Sequence, residues 1–101
     1  MSRTERGKIT ELLYVSDQLI LHGMATAGVR VGPGGSLDLH GTVVGALVVE
    51  EGGSARIFGT VTGDVHNEGG TIAVFGVVDG RLIRSAGETT VDPRAVIRSE
   101  G

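Results

Sequence analysis

Glycine recurs in this chain at nearly constant intervals, and that recurrence narrows the possible folds more than any other feature. When segments 37–45, 55–63 and 72–80 are superposed, Gly23, Gly41, Gly59 and Gly76 fall in one column, at steps of 18, 18 and 17 residues. Gly45, Gly63 and Gly80 form a second column, and the pairs Gly34-Gly35, Gly52-Gly53 and Gly69-Gly70 a third. Segments 19–23 and 91–97 read as weaker first and last copies, with Pro93 in the place of the column glycine in the last. A short fixed period marks a repeat architecture, in which no unit can bury its apolar face alone and several must stack.

Between the glycines the residues alternate. Leu37, Leu39 and Val43 share one parity, as do Ala55, Ile57 and Val61, and then Ile72, Val74 and Val78; Leu47, Val65 and Leu82 continue it on the next short run. Asp38, Arg56, Thr42 and Thr60 hold the opposite parity. Period-2 alternation over short runs signals strands with one buried face, and the glycines between them allow positive φ or tight corners. Three short sides per 17–18 residues make one triangular coil, and successive coils would lie about 4.8 Å apart, the spacing of strands in a sheet. The expected fold is therefore all-β: a single-domain, right-handed, three-sided parallel β-helix of about 4–5 coils. Its expected extent is residues 19–98, preceded by an N-terminal segment and end cap at 1–18 and followed by a tail at 99–101. A left-handed hexapeptide solenoid also uses 18 residues per coil but needs an aliphatic residue at every sixth position, whereas positions 37, 39, 43 and 47 are spaced by 2, 4 and 4. A sandwich of glycine-rich hairpins does not explain the constant step.

The coil ends need separate treatment, because a solenoid exposes a sheet edge at each. Segment 9–15 contains no glycine and reads as a partial coil or lid with Leu13 and Val15 facing in, or as a short helix with Ile9, Leu12 and Leu13 on one side. At the other end Asp92, Arg94, Arg98, Ser99 and Glu100 are polar and Pro93 lacks a backbone N–H, which blunts a ladder. The C-terminal end is thus expected to be the better protected.

Composition agrees with a narrow aliphatic core. Glycine contributes 18 of 101 residues and aromatics only 3%, while 40% of residues are hydrophobic, which with their alternation argues against disorder. Nine basic and twelve acidic residues give a net charge of −3, the wrong balance for a nucleic-acid binder. The absence of cysteine excludes disulfides, thiolate metal sites and cysteine nucleophiles. No segment reads as a secretory signal or a membrane span, so a cytoplasmic protein is expected.

The run Leu39-His40-Gly41-Thr42-Val43-Val44-Gly45-Ala46, repeated as Ile57-Phe58-Gly59-Thr60-Val61-Thr62-Gly63-Asp64, resembles the coils of the bactofilins, the bacterial polymer-forming cytoskeletal family. The resemblance covers about residues 19 to 84. It implies a right-handed three-sided β-helix and end-to-end polymerisation without nucleotide.

Catalytic and ligand-binding constellations are not evident, and no enzyme activity, cofactor or metal is expected. Glycoside cleavage requires paired carboxylates in a groove. The acids Asp38, Glu50, Glu51, Asp64, Glu68, Asp79 and Glu88 are dispersed, and Glu50 with Glu68 reads as a solvated acidic corner, against the alternative of a weak cation site. His22 and His40 share a column and should stack one coil apart, while His66 lies elsewhere in the coil. The sequence Gly32-Pro33-Gly34-Gly35 lacks the lysine of a phosphate loop and reads as a turn.

The candidate interaction residues are outward-facing. His22, His40, Phe58 and Phe75 each follow an inward aliphatic residue, so parity puts two histidines and two phenylalanines in line on the surface. The alternative is that they fold over and merely cover the glycine turn. Val44, Val48, Val77 and Ile83 form a second expected outward apolar strip. The functional expectation is a non-enzymatic scaffold that self-assembles through its solenoid ends or a lateral face. The competing expectation is a small inhibitor or immunity-type protein that blocks a partner protein through a rigid lateral face.

Overall fold

The computed structural model describes residues 2–100, with side-chain surroundings for residue 4 and residues 6–98. The chain winds as an all-β parallel solenoid of about five turns, without a helix among the described residues. Its strands are β1 (Ser2–Glu5), β2 (Lys8–Ile9), β3 (Leu13–Val15), β4 (Gln18–Leu21), β5 (Met24–Ala25), β6 (Val29–Val31), β7 (Ser36–Leu39), β8 (Thr42–Val43), β9 (Leu47–Glu50), β10 (Ser54–Ile57), β11 (Thr60–Val61), β12 (Val65–Val74), β13 (Val77–Val91) and β14 (Val96–Glu100). Every pairing is parallel. Three sides result. One is β1-β4-β7-β10 continued by the second half of β12 and the last residues of β13; the second is β2-β5-β8-β11 continued by the start of β13 and β14; the third is β3-β6-β9 continued by the first half of β12 and the middle of β13.

Period-2 alternation makes these strands because every second residue points into a shared interior. Leu19, Leu37, Ala55 and Ile72 stack in one inward column, and Leu21, Leu39, Ile57 and Val74 in the next. Ala25, Val43, Val61 and Val78 line the second side, and Val29, Leu47, Val65 and Leu82 the third. All are at most 2% exposed. The narrow interior takes branched aliphatics and no aromatic ring, which explains the low aromatic content.

The N-terminal segment is a coil in its own right. β1, β2 and β3 pair with β4, β5 and β6, so Lys8 stands beside Met24 and Leu13 beside Val29, a step of 16 residues rather than 17 or 18. Gly7 therefore heads the column of Gly23, Gly41, Gly59 and Gly76. Val15 is fully buried and Leu13 half-buried against the core, as parity requires; the helical alternative for this segment does not form. At the other end β14 pairs with β13, so the stack continues past residue 98.

One register expectation needs correcting. Val77 pairs with Val96, so Ala95 and not Pro93 lies beside Gly76. Pro93 instead sits in a turn closed by the Ala95 N–H to the Asp92 carbonyl at 2.9 Å, with the Arg94 N–H donating to the Asp92 carboxylate at 2.8 Å. Counting residues from Val91 could not reveal this turn, which adds length between the first and second sides. The Gly32-Pro33-Gly34-Gly35 segment is a turn, closed by the Gly35 N–H to the Gly32 carbonyl at 2.9 Å.

Candidate functional site

A single corner of the solenoid carries most of its distinctive surface. His22, His40, Phe58 and Phe75 each immediately follow a buried residue of the inward column Leu21, Leu39, Ile57 and Val74, so alternation turns them outward. Their rings form a continuous ladder, with centroid separations of 5.1, 4.9 and 5.0 Å and interplanar angles of 16°, 6° and 7°. Parallel coil stacking sets this spacing, because equivalent side chains recur at the interstrand distance. The ladder does not fold away over the corner: Phe58 is 42% and Phe75 40% exposed.

The glycine column lies directly beside the ladder, and its requirement is spatial. None of Gly23, Gly41, Gly59 and Gly76 has positive φ. A Cβ at Gly41 would lie 1.9 Å from the Gly23 carbonyl oxygen, and one at Gly59 would lie 1.9 Å from the Gly41 oxygen. The corner is so tight that only hydrogen fits, which leaves a valley without side chains along the solenoid. Beyond the valley rises a second outward column of Lys8, Met24, Thr42, Thr60, Val77 and Val96, fixed by strand register. Met24 is 40% and Val96 47% exposed. Near the N-terminal end the valley deepens into an open groove of about 440 Å³ lined by Arg6, Lys8, His22, Met24 and Thr42 over the glycine floor.

Both ends of the ladder are charged. Glu5 pairs with Leu21, which puts Arg6 in the ladder column before His22. The Asp92 N–H bonds the Val74 carbonyl at 2.8 Å just as the Phe75 N–H bonds the Ile57 carbonyl, which puts Asp92 in the column after Phe75. The full column therefore reads Arg6, His22, His40, Phe58, Phe75, Asp92. The sequence reading found its four central members and missed both ends: the 16-residue first step hides Arg6, whereas Asp92 stands at the regular 17-residue step from Phe75 but breaks the aromatic pattern of the column.

The second expected strip is not a strip. Val48 and Ile83 share a column with Arg30 and His66 on the third side; Val77 belongs to the valley wall; Val44 lies farther along the second side, between the equivalent Thr26 and Thr62. Val44 is 38% exposed and Val48, Val77 and Ile83 are half-buried. The four share parity but not register, so they do not make one contiguous face.

The acidic corner is occupied by a cation of the chain itself. Arg30 Nε donates to the Glu50 carboxylate, and its Nη2 stands 3.7 Å from Glu68. The hydrogen bond to Glu50, and then the charge of that carboxylate, hold the Arg30 guanidinium further toward its charged form. Among the described residues, no group of three His, Cys, Asp or Glu side chains converges as a metal site would require. Among the described residues no helix is long and apolar enough to cross a membrane. Comparison of the chain with protein-family profiles, curated proteins and solved structures found no match.

Proposed function

We propose that this protein is a non-enzymatic scaffold that assembles with protein, itself included, through the lateral face bearing the aromatic ladder. The observation that carries this reading is the exposed, pre-ordered row of His22, His40, Phe58 and Phe75 on a rigid backbone. Contiguous exposed apolar surface is characteristic of interaction sites, and aromatic anchors lose little side-chain entropy when already held in place. The bactofilin-like coil motif supports a self-assembling role and, with it, right-handed winding.

Of the two surfaces available to such a protein, the lateral one is favoured. The register places Arg3 beside Leu19 and Glu5 beside Leu21, so the first coil carries charged residue types where later coils carry core leucines. At the opposite end Glu100 pairs with Leu82, again a charged residue on an outermost strand. Charged residues on the outermost strands of a sheet are a means of blocking edge-to-edge pairing. The same rigid face would serve an inhibitor or immunity-type protein, the competing reading. Sedimentation of the pure protein over a range of concentrations separates them: self-association that Phe58→Lys abolishes is the expected result, and a monomer at all concentrations would overturn the scaffold reading.

A further inference from the structure

The ladder column is complementary to itself when reversed. Read forwards, the column is Arg6, His22, His40, Phe58, Phe75, Asp92. Turned end for end against a second copy, it sets Arg6 opposite Asp92, His22 opposite Phe75 and His40 opposite Phe58, and every pair occurs twice. Along the wall Lys8, Met24, Thr42, Thr60, Val77, Val96 the same reversal sets Thr42 opposite Thr60 and Met24 opposite Val77, with Lys8 and Val96 facing each other at the two ends. Two-fold interfaces demand this property, because residue i must contact residue j while j contacts i.

We infer that the corner is the interface of an antiparallel homodimer, whose two-fold axis is perpendicular to the solenoid and passes between His40 and Phe58. The inference rests on the self-assembly reading and adds to it the occupant, the stoichiometry and the orientation.

Charge agrees with this occupant. Among the described residues no carboxylate pairs with Arg6 or Lys8, which line the groove at one end, and the only charged residue of the column at the other end is Asp92. A parallel side-by-side pair would set Arg6 against Arg6 and Asp92 against Asp92. The antiparallel pair sets opposite charges together at both ends, and like-charge juxtaposition is what selects against wrong docking. Opposite-end docking along this corner also closes after two copies, whereas stacking through the coil ends grows without limit.

The test is analytical ultracentrifugation of the full chain and of charge-reversed variants. Wild type is expected as a two-chain species whose mass stops rising with concentration. Arg6→Asp and Asp92→Arg should each weaken dimerisation, by about tenfold or more from two like-charge contacts per dimer. An equimolar mixture of the two should restore a 1:1 heterodimer, since each reversed charge then meets its opposite. Asp92 also receives the Arg94 N–H, so Asp92→Asn, which can keep that bond, checks that loss of charge rather than of the turn is responsible. Phe58→Lys, next to the axis and far from either coil end, should weaken the dimer about thirtyfold or more, as expected of a central anchor. Open-ended growth with concentration, or variants that the mixture fails to rescue, would overturn the antiparallel dimer while leaving self-assembly intact. A monomeric wild type would overturn both.

Discussion

The Asn67 side-chain amide donates to the Glu88 carbonyl at 2.9 Å and to Thr89 Oγ1 at 3.0 Å, joining two successive coils from inside the core. Asn67 is fully buried and stands in the inward column of Val15, Val31 and Val49. Its Oδ1 accepts the Gly69 N–H at 3.1 Å and the Gly70 N–H at 2.8 Å, which fixes the corner within Val65–Val74 where its register with the neighbouring strands shifts. Valine would match the column in shape but would leave two backbone donors and one backbone acceptor without partners. Each buried unpaired group costs about 1–3 kcal/mol. Asn67→Val is therefore expected to lower the unfolding free energy by about 2 kcal/mol or more, measured by urea denaturation; a neutral or stabilising result would show that water reaches this corner.

Gly7 and Gly41 occupy the same column and predict opposite outcomes. A Cβ at Gly41 would be 1.9 Å from the Gly23 oxygen, whereas a Cβ at Gly7 has nothing within 4 Å. The difference arises because the corner Cβ points toward the preceding coil and Gly7 belongs to the first. Gly41→Ala must push coils apart across the whole corner, and should destabilise by more than the ~1 kcal/mol typical of compatible glycine replacements. Gly7→Ala should be neutral or mildly stabilising by restricting the unfolded chain. Thermal melts of the two variants make the comparison, and equal effects would contradict the stacking direction.

The architecture was legible because a parallel solenoid writes itself twice into a sequence, as alternation within a side and as repetition between coils. Leu37, Leu39, Val43 and Leu47 are buried as alternation requires, and their equivalents one coil on follow suit. What escaped was information carried by irregular steps. The 16-residue first coil hid Gly7 and Arg6, and the turn through Pro93 hid that Ala95 lies beside Gly76. Asn67 was invisible for a different reason: its inward parity could be read from Val65, but its four hydrogen bonds depend on corner geometry. The scattering of Val44, Val48, Val77 and Ile83 shows the limit of parity, which decides whether a side chain faces out but not which side of the coil it is on.

Phe58 stacks on His40 on one side and Phe75 on the other, at 4.9 and 5.0 Å. Stacked aromatic pairs contribute about 0.5–1.5 kcal/mol each beyond the area they bury. Phe58→Ala, which breaks the ladder at two places, is expected to cost about 1–3 kcal/mol of folding stability. Phe58→His should recover much of that loss, since histidine already holds this position at residues 22 and 40. Denaturation at concentrations low enough to keep the chain monomeric isolates the intramolecular effect. If alanine costs nothing under those conditions, the ladder serves assembly alone.

Arg56 and Ile57 are neighbours on one strand, and alternation gives them opposite energetic weight. Arg56 bonds Asp38 in a bidentate pair at 2.8 and 2.9 Å, yet its side chain is 57% exposed. Exposed ion pairs contribute about 0–1 kcal/mol and weaken with salt, because water screens the charges and ordering two side chains costs entropy. Ile57 is 0% exposed and packs between Leu39 and Val74 of the adjoining coils. Ile57→Ala removes that contact and leaves a cavity, at about 2–5 kcal/mol, while Arg56→Ala should stay within ~1 kcal/mol and vanish at high salt. Urea denaturation of both variants at low and high ionic strength measures the contrast. A larger loss for Arg56→Ala than for Ile57→Ala would mean that the inward and outward sets have been exchanged, and with them every column on which the lateral interface is built.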